Sequence, residues 1–219
     1  MPDPQLMRRA ARCYARLGWH AEAARCHRAA GDHQYAARLW ERAGLPAEAA
    51  RDHLAARAFD RAAWLYVHEA DDPAEARAVL AEAADAVLAA VPMAAAEFTA
   101  SDLTLRLVLA RCDVAEGRPV REARAAIAAV TDALARADAV PGHVARDLED
   151  RAVATAEAMH RPDLVALVFA AAVRGQRPGA AARWDDWSRR VLHVPLVLPP
   201  ATAVVAEEPA EPAGRPLAG

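Results

Sequence analysis

A 13-residue beat runs through the first third of the chain. Cut at Ala11, Ala24, Ala37, Ala50 and Ala63, the segments read ARCYARLGWHAEA, ARCHRAAGDHQYA, ARLWERAGLPAEA, ARDHLAARAFDRA and AWLYVHEADDPAEA. Gly recurs at Gly18, Gly31 and Gly44, and an aromatic ring at Tyr14, His27, Trp40, His53 and Tyr66. A unit this short holds one helix and one turn. It buries too little to stand alone, so neighbours must stack in chain order. Ala36, Trp40 and Ala43 are spaced i, i+4, i+7, on one helical face. Ala49, His53 and Ala56 repeat the pattern; Ala62, Tyr66 and Glu69 keep it except at the last place. A ring between alanines can lie against the small residues of the next helix. The five rings are therefore read as packing residues. The three glycines are read as helix stops, because Gly enters the left-handed region without a Cβ penalty.

The beat predicts helices over 8–17, 21–30, 34–43, 47–57 and 60–70, after a loose lead-in over 1–9. Asp32 and Asp60 are candidate caps. Pro46 and Pro73 stand at helix starts, where the missing N–H costs nothing. Beyond Pro73 the beat fades. Longer helices are expected over 73–91, 101–116 (capped by Ser101), 119–138, 142–160, 162–174 and 178–193, with a break at Pro92. From 194 the chain turns rich in Pro, Ala and Glu, which predicts an extended stretch to about 200 and disorder beyond. The expected organisation is a short-helix array over 1–91, a longer-helix continuation over 92–193 and a tail over 194–219. Two separate helical domains meeting near 92 is the alternative.

The apolar fraction of the 219 residues is 55%, much of it Ala, the strongest helix former, and few runs alternate with period two. All 27 basic residues are Arg, with no Lys and no Asn, as in a protein from a GC-rich bacterial genome. A formal net charge of -3 argues against a general affinity for nucleic acid or anionic membrane. Cys13, Cys26 and Cys112 lack CxxC spacing and suit a reducing cytosol. No apolar h-region opens the chain, and prolines interrupt both apolar stretches, 86–96 and 191–205, short of the ~20 residues of a membrane span. A cytoplasmic location without a membrane partner is expected.

The repeats, AARLWERAGLPAEAARDHLAARAF above all, resemble the TPR-like α-solenoids, particularly short-helix variants built on A-x-x-[aromatic]-x-x-A-G. The likeness covers 11–76, and more loosely 101–193. It implies an all-α, right-handed stack of antiparallel hairpins that binds peptides or protein surfaces. The segment RWDDWSRRVLHVPLVLP is faintly similar to helical accessory proteins of bacterial NTPase or conflict systems.

Candidate chemistry is sparse. Cys13, His20, Cys26, His27 and His33 are possible zinc ligands, yet His27 shares the packing column and Cys is a common buried residue. His68-Glu69 resembles a metalloprotease helix but has Asp72 where the second His belongs; Asp71-Asp72-Pro73 reads as a cap and turn. Asp147, Glu149 and Asp150 alternate with Arg146 and Arg151, the pattern of a solvated face. Phosphate loops are absent from the sequence, and neither Ser101 nor Ser188 sits in a nucleophile elbow. Hence no catalytic residue, cofactor or metal is assigned. Trp184 and Trp187, with Val191 at i+7, close the core in one reading; with Arg183, Arg189 and Arg190 they form a partner-docking face in the other. Arg8, Arg12, Arg16, Arg25, Arg38 and Arg51 recur near one column, interleaved with Glu22, Glu41, Glu48 and Asp52. The expected function is a non-catalytic protein-interaction scaffold or adaptor. A nucleic-acid-binding repeat using the Arg face and a metal-dependent enzyme are the rivals.

Overall fold

The computed structural model describes residues 3–88, 95–136 and 138–200. Among them the chain forms eleven α-helices and no strand. They are α1 (Pro4–Arg16), α2 (His20–Ala29), α3 (His33–Arg42), α4 (Pro46–Ala55), α5 (Phe59–His68), α6 (Pro73–Leu88), α7 (Ala95–Ala115), α8 (Arg121–Leu134), α9 (Gly142–Ala158), α10 (Pro162–Arg174) and α11 (Ala180–Trp187). A π-helical turn, Ser188–Leu192, follows α11. Each helix from α1 to α8 packs on its successor, so the all-α architecture is a stack in chain order. In the second half a further layer appears: α7 also packs on α5 and α9, and α8 on α10.

The repeat closes its helices in one way. Gly18 takes φ +76°, Gly31 +77° and Gly44 +70°. The N–H of the residue after each glycine returns to the carbonyl of the ring residue: Trp19 to Tyr14, Asp32 to His27 and Leu45 to Trp40, at 2.9 to 3.0 Å. This is a Schellman closure, and it satisfies carbonyls the helix end would otherwise leave bare. One beat later the same place is held by Arg57 at φ +60°, with Ala58 N–H bonded to the His53 carbonyl. The ring column therefore doubles as the anchor of every turn.

The packing surface is made of alanine pairs. Ala23–Ala24, Ala36–Ala37, Ala49–Ala50 and Ala62–Ala63 are fully buried, as are Ala11 and Ala76. Side chains this small let helix axes approach at the close end of the usual spacing, roughly 8 Å. Between them Trp40, His53 and Tyr66 are buried, while Tyr14 and His27 are partly so. The second half uses larger side chains: Leu107, Ile127, Leu134, Leu148, Val165 and Phe169 belong to a separate buried cluster. The helix α7 joins the two, giving Val108 and Cys112 to the first and Leu103 and Leu107 to the second. At the end of α10, a Cβ on Gly175 would collide with the Leu134 carbonyl, so α8 and α10 meet backbone to backbone there.

Several local expectations are corrected. The lead-in is helical from Pro4, because the Asp3 carboxylate accepts from Gln5 N–H at 2.8 Å and Pro4 fits the first turn. Asp32 precedes α3 but makes no capping bond, its carboxylate being engaged by other side chains. Asp60 lies inside the first turn of α5, and Ser101 lies inside α7. The Asp72 side chain does cap α6, through Glu75 N–H at 3.0 Å. The break at Pro92 and the tail over 201–219 fall outside the described residues. Residues 195–200 carry no regular structure and are tied back to α11, with Trp184 Nε1–H donating to the Leu196 carbonyl at 2.6 Å. Among the described residues no helix is long and apolar enough to cross a membrane.

Candidate interaction surfaces

The C-terminal cluster is built around two indoles. Trp184 and Trp187 are 4% and 3% exposed, stacked with centroids 5.3 Å apart. Trp187 Nε1–H donates to Glu157 at 2.6 Å. Arg183 forms a two-bond fork, both arms 2.6 Å, with Glu149, whose side chain is 1% exposed. Charge-assisted forks of this kind are what a buried carboxylate needs. Arg189 is exposed and pairs with Asp185 one turn earlier; Arg190 is exposed and stands 4.0 Å from Glu157. The structure thus brings the five residues together but divides them. The indoles lie within the fold, Arg183 is partly buried, and Arg189 and Arg190 face solvent.

The ring column carries polar work that periodicity did not reveal. Asp52 is 2% exposed. Its carboxylate meets Arg28 from α2 at 2.8 Å, Trp40 Nε1–H from α3 at 2.8 Å and His33 Nδ1 at 2.7 Å. Arg28 also reaches Glu48 at 2.8 Å and lies 5.1 Å over the Trp40 ring. Across the same α3–α4 interface, Glu41 of α3 accepts from His53 Nε2 at 2.6 Å and also from Arg61 of α5 at 2.6 Å. The His53 contact, reinforced by Arg61, holds the Glu41 carboxyl at about 2. Arg8 on Asp32, with His27 adding to it, holds that carboxyl at about 2 as well. Trp40–Asp52 and Glu41–His53 are reciprocal: adjacent residues of α3 and α4 exchange bonds across the interface. Both pairs are 12 residues apart, one short of the beat, so a search at 13 passes them by.

The Arg column divides into paired and unpaired members. Arg8 forks onto Asp32, Arg25 pairs with Glu22, and Arg51 pairs with Glu48. Arg12, Arg16 and Arg38 are exposed and, among the described residues, have no carboxylate partner; Arg9 and Arg42 behave alike. Nearby apolar side chains are also uncovered: Leu6 is 55% exposed, Leu17 65%, Trp19 56% and Tyr35 62%.

The proposed chemistry finds little purchase. Cys13 is exposed, Cys26 partly buried, and His27 and His33 sit on separate carboxylates. Among the described residues no group of three His, Cys, Asp or Glu side chains is arranged to hold a metal ion. Burial pushes the Cys112 thiol up to about 11, far from a reactive thiolate. A cavity of about 560 Å3 lies between α5, α6, α7 and α9, with apolar sides from Phe59, Leu105 and Val144 and polar groups from Ser101, His143 and Asp147. No hydrogen bond joins those three polar residues among the described ones, and Asp147 is engaged by Arg151 at 2.9 Å. No family model, curated protein or solved structure matches the chain.

Proposed function

We propose that the chain is a non-catalytic protein-interaction scaffold or adaptor. In this reading it is a right-handed, TPR-like solenoid of antiparallel hairpins, with a short-helix array over 1–91, a longer-helix continuation over 92–193 and a tail over 194–219. Service as an accessory subunit of a larger bacterial assembly, in the cytoplasm, fits the same reading. One observation carries it. Among the described residues nothing covers the stack at its α1 end: α1 has only Ala11 fully buried, and Leu6, Leu17, Trp19 and Tyr35 stand exposed around it. Exposed aromatic and aliphatic side chains beside unpaired guanidinium groups are the composition of protein-binding surfaces. Arg189 and Arg190 offer a second, smaller contact at the other end.

The test is affinity capture from the native host with the intact chain and with Leu17→Ser/Trp19→Ser. The scaffold reading expects a stoichiometric protein partner that the variant loses. Recovery of nucleic acid instead, removed steeply by salt, or of stoichiometric bound metal would transfer the reading to one of its rivals.

A further inference from the structure

Residues that recur at the 13-residue spacing occupy matching places on successive helices, so their environments can be compared. On α1 one outward triplet is Arg9, Arg12 and Arg16; on α3 it is Tyr35, Arg38 and Arg42, and all six are exposed. On α2 and α4 the same places hold Glu and Arg three residues apart, Glu22–Arg25 and Glu48–Arg51, which neutralise each other within one turn. The odd-numbered helices therefore show bare positive charge where the even-numbered ones show none.

The next odd helix shows what occupies this face once it is covered. On α5 the middle place is Trp64, and it is 4% exposed. The Arg151 guanidinium of α9 lies 5.3 Å from its ring and pairs with Asp147 of α9 and Asp60 of α5. Helix α7 of the same chain is thus packed on α5, and α9 adds one buried guanidinium held by two carboxylates. The seat continues along the odd row. Glu41 of α3 is bound to Arg61 of α5, Arg8 of α1 is bound to Asp32 at the head of α3, and Arg42 shares a surface depression with Trp19. Over α3 and α1 nothing in the chain's described residues covers it.

Resting on the scaffold reading, we propose that the α1–α3 face docks an acidic helical segment of a partner protein, in line with α7 on α5. Charge complementarity names the occupant. Residues 3–42 hold eight Arg against four Asp or Glu, in a chain whose net charge is -3. Of those four acids, Glu22, Asp32 and Glu41 are held by Arg25, Arg8 and Arg61 in turn, and Arg28 pairs with Glu48 and Asp52; Arg9, Arg12, Arg16, Arg38 and Arg42 have no carboxylate partner among the described residues. Planar guanidinium forks match carboxylates in two-bond geometry, and Tyr35 supplies an aromatic contact among them. A short acidic helix fits a positive strip two helices long. An extended polyanion would run onto the acidic remainder of the chain and be repelled.

The probe is a fluorescein-labelled peptide of about 20 residues made of Glu, Ala and Leu with its carboxylates on one helical stripe. A Gln-for-Glu version and a 20-base-pair DNA duplex are the comparisons, all read by anisotropy from about 50 to about 200 mM salt. The acidic peptide binds, the Gln version does not, and the duplex binds more weakly. Arg12→Gln/Arg38→Gln/Arg42→Gln weakens the peptide by roughly tenfold or more. Arg121→Gln/Arg174→Gln, exposed on α8 and α10, leaves it unchanged, and circular dichroism melts confirm that both variants are folded. The proposal is overturned if the peptide does not bind at low salt, if the duplex binds more tightly than the peptide, or if the two variants behave alike. A host partner captured equally by the triple variant removes this face but spares the scaffold reading. Peptide binding with no host partner does the reverse.

Discussion

Asp52 is the residue on which the repeat array turns. It joins α2, α3 and α4 through one carboxylate that is almost wholly buried. Removing it leaves the buried Trp40 N–H without its acceptor and takes one partner each from His33 and Arg28, which are both partly open to water. Losing one partner of a buried charge pair costs about 3–5 kcal/mol. Asp52→Ala is expected to lower unfolding free energy by about 3 kcal/mol in urea titrations, because Arg28 keeps Glu48. Trp40→Phe keeps the ring and drops one bond, and should cost about 1 kcal/mol beyond the lost area. Equal losses from the two changes would mean that the carboxylate is not the hub. Glu41 adds a pH signature. Its carboxyl sits at about 2 in the fold against an ordinary 4.5. Between those values the unfolded chain binds the proton and the folded chain does not, so stability rises with pH there. The contribution is complete above about 4.5 and is lost as pH falls towards about 2. Thermal melts of Glu41→Gln should show a flatter slope over that window; an unchanged slope would remove the coupling to His53 and Arg61.

At the scale of the helix, ends matter more than starts. Four successive turns use the same closure, and in α2 to α5 no side chain caps the N-terminus. That is why Gly18, Gly31 and Gly44 located the helices from sequence while the assigned caps did not. It is also why the first helix was placed late and α7 began six residues before its expected start: neither start carries a Gly or a ring. Arg57 is not legible in the sequence, because a left-handed Arg leaves no trace in the composition. The comparison between Gly31 and Arg57 isolates the cost of that conformation, since a Cβ on Gly31 would touch nothing within 4 Å. Gly31→Ala is expected to destabilise by about 1 kcal/mol through φ alone. Arg57→Gly relieves similar strain but frees the unfolded chain and removes the guanidinium lying 5.3 Å from the Phe59 ring. Its change should be smaller and opposite in sign, or near zero. Calorimetric melts of both variants decide it, and a large loss from Arg57→Gly would assign the residue a contact role that outweighs its backbone.

For the whole molecule, the periodic half and the aperiodic half differ in how their parts depend on one another. Stacking order was legible because a 13-residue unit has no other way to bury its alanines. The second layer was not, because it joins residues far apart in sequence: α7 packs on α5 and α9, and Arg151 of α9 pairs with Asp60 of α5. That layering predicts a gradient of local stability. The first four helices each bury small side chains against one or two neighbours, so they should open in sub-global steps from α1 inward. Opening should stop at α5, where Trp64, Leu65, Tyr66 and Val67 are all buried, α7 lies alongside and Arg151 of α9 reaches the Trp64 ring. Native-state amide exchange in low denaturant should therefore show α1 and α2 exchanging first, α3 and α4 next, and α5 together with α7 to α10 only near the global unfolding free energy. Trp40→Ala should sharpen the contrast: exchange in α1 to α4 accelerates, while α8 and α10, which share no buried cluster with Trp40, keep their protection. Uniform acceleration across both halves would instead mean that α7 binds the clusters into one cooperative unit, and the open α1 end would then be rigid in the absence of a partner.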